Sequence, residues 1–174
     1  MEVLINGGRV ARRMVFAAVV AGALVMTGSV KASPPEAAAG EFVAPPPAPT
    51  SFRTAGNNCF TEIDDVFELT GTLEGELELD FVVTFHGPCS EFPTFPANFR
   101  APAGFGGTVT LDGTMHTGSF EGTFNGRIDE QAVARGTLSI ARGTGGLAGL
   151  HGVIVLEGTP GVGGTYSGDV HLDG

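Results

Sequence analysis

From Ile63 to Phe85 the chain alternates with a period of two. The odd positions read Ile63, Asp65, Phe67, Leu69, Gly71, Leu73, Gly75, Leu77, Leu79, Phe81, Val83 and Phe85, and the even positions from Asp64 to Thr84 are nearly all Asp, Glu or Thr. Successive side chains of extended backbone point to opposite faces, so this pattern specifies strand with one dry face and one wet face. At about 3.3 Å per residue the run is longer than an ordinary strand. It has to bend or turn, and Gly71 and Gly75 are the places where it can.

The same period returns along the chain. Val109, Leu111 and Met115 form one apolar set. Gly118, Phe120, Gly122, Phe124, Gly126 and Ile128 form the next, followed by Gly136, Leu138 and Ile140, then Leu150, Gly152, Ile154 and Leu156, and finally Tyr166, Gly168, Val170 and Leu172. No helical window of similar length competes. Gly supplies 28 of 174 residues, about twice the usual share, and each interior Gly costs a helix about 1 kcal/mol. Many strands joined by Gly-rich turns mean an antiparallel sandwich or barrel. Gly repeated on the apolar face relieves crowding and permits sharp coiling, which favours a small closed barrel.

The segment from Gly118 to Leu172 contains GSFEGTFNGRID, ARGTLSIARGTGGLAGLHGVIVLEGT and GTYSGDVHL. It resembles a bacterial family of unknown function whose members carry a GTFEG strand and a GTGELAGLRGEG hairpin. Gly143 to Leu150 is the most specific match, and Leu69 to Leu79 (LTGTLEGELEL) resembles an earlier SGDLEGT strand. That family is similar in fold to allene oxide cyclase and the dirigent proteins. The resemblance covers Phe67 to Leu172 and implies an all-β fold, a small antiparallel eight-stranded barrel of the calycin type. It supplies no reaction. The family pattern lacks a long leader and a Cys pair, and His86 to Gly107 reads as an insertion against it.

Residues 1–32 read as a signal peptide. Arg9, Arg12 and Arg13 precede an apolar and Gly run from Met14 to Met26, and Val30-Lys31-Ala32 offers small residues for cleavage after Ala32. The run is short for a membrane-spanning helix, so no stable anchor is expected once the leader is cut. Arg12-Arg13 also fits twin-arginine export, but the general secretory route is the preferred reading. Removal leaves 5 basic residues, all Arg, against 18 acidic ones. A chain without Lys and with such an acidic excess is no nucleic-acid binder, because phosphate neutralisation needs clustered cations. Residues 33–52 hold six of the eleven Pro, and this composition predicts a disordered tether ahead of a barrel domain at 53–174. In an exported chain the pair Cys59 and Cys89 reads as a disulfide, closing a loop for roughly 3 kcal/mol.

The stretch 86–107 gathers Phe92, Phe95, Phe99 and Phe105 among Pro88, Pro93, Pro96 and Pro102. Four aromatic rings must be buried somewhere. They make a lid over a barrel mouth, a plug filling its end, or a contact between copies in a homo-oligomer. Tyr166, the only Tyr, falls on the apolar phase, where its hydroxyl could face a ligand or simply sit at the rim of the core. Gly143 to Ala148 matches G-x-G-x-x-A, yet the following residues alternate as a strand, so a hairpin turn is the better reading than a phosphate loop. His116, His151 and His171, with Asp169 beside the last, have no metal-ligand spacing, and the row Glu74, Glu76, Glu78 and Asp80 reads as a wet outer face rather than a calcium site. No cofactor, metal or catalytic group is indicated. Two functions remain: an exported, non-catalytic barrel that binds a small apolar ligand or serves as a structural module, and a cofactor-free cyclase or isomerase acting inside the barrel.

Overall fold

The computed structural model describes residues 34–173; the proposed leader lies outside the described residues. Among the described residues, nine strands form one antiparallel sheet: β1 (Glu36–Val43), β2 (Pro49–Ala55), β3 (Asn58–Gly71), β4 (Leu73–His86), β5 (Ala97–Leu111), β6 (Thr114–Ile128), β7 (Ala134–Gly145), β8 (Leu150–Thr159) and β9 (Gly163–Leu172). Among the described residues there is no α-helix, only a 3-10 turn at Cys89–Glu91, and no helix long and apolar enough to cross a membrane.

From β3 to β9 every strand pairs with its sequence neighbour, and β1 pairs with β9 over Glu36 to Phe42. β1 also pairs with β3, from Gly40 opposite Gly71 to Val43 opposite Glu68. The sheet therefore curls until its ends meet, and the ring is nearly closed. Further along, the same edge of β3 carries β2, from Pro49 opposite Ile63 to Ala55 opposite Asn58. The expected count of eight strands is thus exceeded by one, because β1 and β2 divide one edge between them.

The alternation from Ile63 to Phe85 folds as a hairpin, with β3 ending at Gly71 and β4 starting at Leu73. Gly71 has φ of 107°, a conformation Gly adopts without steric cost. Inward residues on both strands are buried from Ile63, Phe67 and Leu69 to Leu73, Leu77, Leu79, Phe81, Val83 and Phe85. On the outer phase Asp64 stands opposite Asp80 and Glu68 opposite Glu76, like-charge pairs that cost sheet stability unless solvated.

Three expectations need correction. The stretch expected as a disordered tether is ordered over its described residues 34–52, where it supplies β1 and the start of β2. Ala38 and Phe42 are buried on β1, and pairing on both sides satisfies its backbone as no solvated coil would require. The insertion at 86–107 is mostly strand, since β5 begins at Ala97 and only residues 87–96 form a connection. Met115 is 76% exposed, because the turn at Asp112-Gly113, both residues with positive φ, puts His116, not Met115, opposite Val109.

The interior differs from end to end. At the end carrying the β3–β4, β5–β6 and β7–β8 turns it is solid. Leu73, Leu77, Val109, Phe120, Leu147, Leu150, Ile154 and Val170 are each 2% exposed or less, and Phe105 stacks on Phe120 with centroids 4.7 Å apart. Leu147 is driven inward by the turn GTGGLAGL. Gly146 N–H donates to the Thr117 carbonyl and Leu147 N–H to that of Thr144, while a Cβ on Gly143 would collide with the Leu147 carbonyl. This motif, the strongest part of the resemblance, is a cap on the closed end. No helix follows it that could hold a phosphate.

Candidate functional site

The opposite end is hollow. There the β1–β2, β4–β5, β6–β7 and β8–β9 connections converge on a cavity of about 300 Å³. Its walls are the inward residues of the strands: Phe42 from β1, Ile63 and Phe67 from β3, Phe81, Val83 and Phe85 from β4, Phe99 from β5, Phe124 and Ile128 from β6, and Leu156 from β8. Its mouth is formed by Ala44 and Pro47, by Phe92, Pro93 and Phe95, by Ala132, and by Thr159 to Gly161.

The ring sizes explain the hollow. Phe42 stacks on Phe67 at 5.2 Å, Phe81 meets Phe99 edge-on at 5.6 Å, and Phe99 meets Phe124 at 5.1 Å. Gly126 and Gly136 face each other across β6 and β7, and a Cβ on either would strike the Phe99 ring. Gly therefore alternates with Phe on this face because the rings lie across the backbone beside them. Rings of this bulk brace one another around a space that they do not fill.

The connection 87–96 is tied down twice. Cys89 is disulfide-bonded to the buried Cys59 at the start of β3. Phe92 meets Phe85 at 4.9 Å and Phe52 at 5.1 Å, both edge-on, and Phe95 lies 6.1 Å from Phe85. Of the aromatic residues singled out in the sequence, Phe92, Phe95 and Phe99 are brought together at this end. Phe105 is not; it belongs to the packed end.

Tyr166 is not part of the lining either. Its hydroxyl accepts from Leu73 N–H at 2.7 Å and donates toward the carbonyls of Thr70 (3.1 Å) and Leu73 (3.2 Å). It thereby serves the backbone of the β3–β4 turn, and burial pushes its pKa up, partly offset by the Leu73 bond. Tyr166→Phe leaves a buried N–H without a partner, so we expect a loss of about 1–3 kcal/mol in urea unfolding. Small-molecule occupancy of the cavity should be unchanged; a lost occupancy with full stability would instead make the hydroxyl a ligand contact.

Asp65 is the residue that sequence reading passed over. It stands on the inward phase between Ile63 and Phe67, and is the one ionisable side chain among the cavity's lining residues. Burial, and then the charge of Asp64, push its carboxyl pKa above the ordinary value. A carboxylate without a compensating cation takes up a proton more readily in such surroundings. The signal was present in the sequence, since Asp65 is the single charge among the odd positions from 63 to 85.

The His residues lie away from the cavity. His151 and His171 face each other on β8 and β9 with ring centroids 5.5 Å apart, and His151 Nε2 lies 3.4 Å from Asp173 Oδ2. Among the described residues no group of three His, Cys, Asp or Glu side chains is placed to hold a metal ion.

No protein-family model matches the chain, and no curated protein matches it. Among solved structures it is similar to the crystal structure of a protein with unknown function from the DUF3224 family of Shewanella oneidensis MR-1, with a TM-score of 0.62 and 18% identity, covering 81% of this chain and 100% of that one. At that identity the likeness carries the all-β fold alone.

Proposed function

We propose that the chain is an exported β-barrel, similar to the allene oxide cyclase type, that holds a small apolar molecule in the Phe-lined cavity beneath the 87–96 lid. One observation carries this reading: a hollow of about 300 Å³ at one end of an interior otherwise packed solid. Natural interiors seldom leave such a space in an apolar core, and volumes from about 300 Å³ upward suit small ligands. The pairing of β1 with both β9 and β3 supports the barrel. The Cys59–Cys89 disulfide supports an oxidising compartment.

The test is a titration with a neutral aromatic hydrocarbon such as tert-butylbenzene, followed by methyl and aromatic NMR shifts. Shifts should concentrate on Phe81, Phe99, Phe124 and Leu156 and leave Phe105 and Phe120 unmoved. Ala134 at the start of β7 also lines the cavity, and Ala134→Phe, which fills the cavity from that wall, should abolish them. Absence of saturable shifts, or shifts that survive Ala134→Phe, would sink the ligand site and leave a structural module. The second reading, a cyclase or isomerase, draws on Asp65, a carboxyl of raised pKa in an apolar space and so suited to general acid work. It requires native mass spectrometry of the protein from its own source to find a co-purified compound that wild type converts and Asp65→Asn does not.

A further inference from the structure

We propose that the cavity selects organic cations, a compact ammonium or quaternary nitrogen carried on an apolar body, with Asp65 as the counter-ion and the surrounding Phe rings as the cage. The inference deepens the ligand-site reading and rests on it. The cavity holds one acid and no base: Lys, Arg and His are all missing from its lining residues. A half-buried carboxylate in a cavity also lined by Phe42, Phe67, Phe81 and Phe124 has lost part of its water and has no cation among the lining residues, so it is completed either by a proton or by a positive guest. The rings add to the preference, since an aromatic face attracts a cation within about 6 Å of its centroid. The exterior adds to it again, because the formal charge of −10 raises the local concentration of cations.

The charged residues next to Asp65 on β3 and across from it on β4 are all acidic. Asp64 precedes it on β3, and Asp80 and Glu78 stand opposite Asp64 and Val66 on β4, exposed on the outer phase. Leu79 pairs with Asp65 itself, and β1 with its connection to β2 contributes Phe42, Ala44 and Pro47 to the cavity. Among the described residues, no Lys, Arg or His lines the cavity to compete for the carboxylate there.

The experiment compares phenyltrimethylammonium with its neutral isostere tert-butylbenzene on the full protein, by NMR titration in about 0.3 M salt so that the outer carboxylates are screened. The cation should bind at least tenfold more tightly than the isostere at neutral pH. Acidification through the titration of Asp65 should weaken the cation about tenfold, as the proton takes its place, and leave the isostere unchanged. Asp65→Asn should erase the preference while retaining isostere binding, and the exposed control Asp64→Asn should preserve it. Equal affinities in wild type, or a cation preference that persists in Asp65→Asn, overturn the proposal while isostere binding keeps the ligand site. Failure of both probes to bind overturns the two together.

Discussion

Phe120→Ala should lower the unfolding free energy by about 3–5 kcal/mol, the range for truncating a fully buried Phe in a core that cannot collapse around the gap. Phe120 is 2% exposed and stacks on Phe105 at 4.7 Å. Its neighbours are held by strands on both sides of β6, and Leu147 is pinned over them by the β7–β8 turn. The void therefore stays open. Measured by urea unfolding, the loss is a large share of the 5–15 kcal/mol that a domain usually has. Phe95→Ala provides the contrast. Phe95 is only partly buried and borders a space that is already empty, so its loss should fall well below that of Phe120. A reversed order would mean that the end assigned as solid is the loose one.

That asymmetry was only half legible in the sequence. Strands β3, β4, β6, β8 and β9 announced themselves because large apolar residues alternate there with charged or hydroxyl ones. β1 and the first half of β5 did not, and for a shared reason. Most of their inward residues are small: Ala38 and Gly40 beside a single Phe42 on β1, and Ala97, Ala101 and Ala103 around Phe99 on β5. Small residues are needed where rings from other strands take the volume, as Ala101 does opposite Phe124. A hydrophobic count reads such positions as weak, and Pro102 in the middle of β5 reads as a break. Composition thus pointed to a tether and an insertion where closure of the sheet had left room for only a methyl group.

The site was legible in parts. The Phe residues of the 86–107 stretch were visible as a group needing burial, but chain position alone could not separate Phe92, Phe95 and Phe99 at the hollow end from Phe105 at the packed end. That division depends on register, which sets Phe99 opposite Val83 and Phe105 opposite Leu77. Asp65 carried a local signal, a charge on the dry phase. Its meaning depends on residues such as Phe42 and Phe124, which strands far away in sequence bring to the same cavity. The sequence leaves the Tyr166 hydroxyl open to either role, and only the fold brings the β3–β4 turn to it as its partner.

Removing the disulfide should cost about 3 kcal/mol, because the bond closes a 30-residue separation and restricts the unfolded chain accordingly. Cys59→Ala with Cys89→Ala, or reduction of the wild type under thiol, should produce the same fall in urea midpoint, and agreement between the two separates loop closure from the small packing change at Cys59. The folded protein should respond locally as well. The 87–96 connection keeps its Phe92 and Phe95 contacts with Phe85 but loses its covalent hold on β3. Amide exchange should therefore rise over residues 87–96 by more than the global loss of stability explains, while β6 to β9 follow the global change. Because those residues form the mouth of the cavity, a bound hydrocarbon should dissociate faster at nearly unchanged association rate. A stability loss below about 1 kcal/mol, or exchange that rises uniformly, would place the restraint on the 87–96 connection in its aromatic contacts alone.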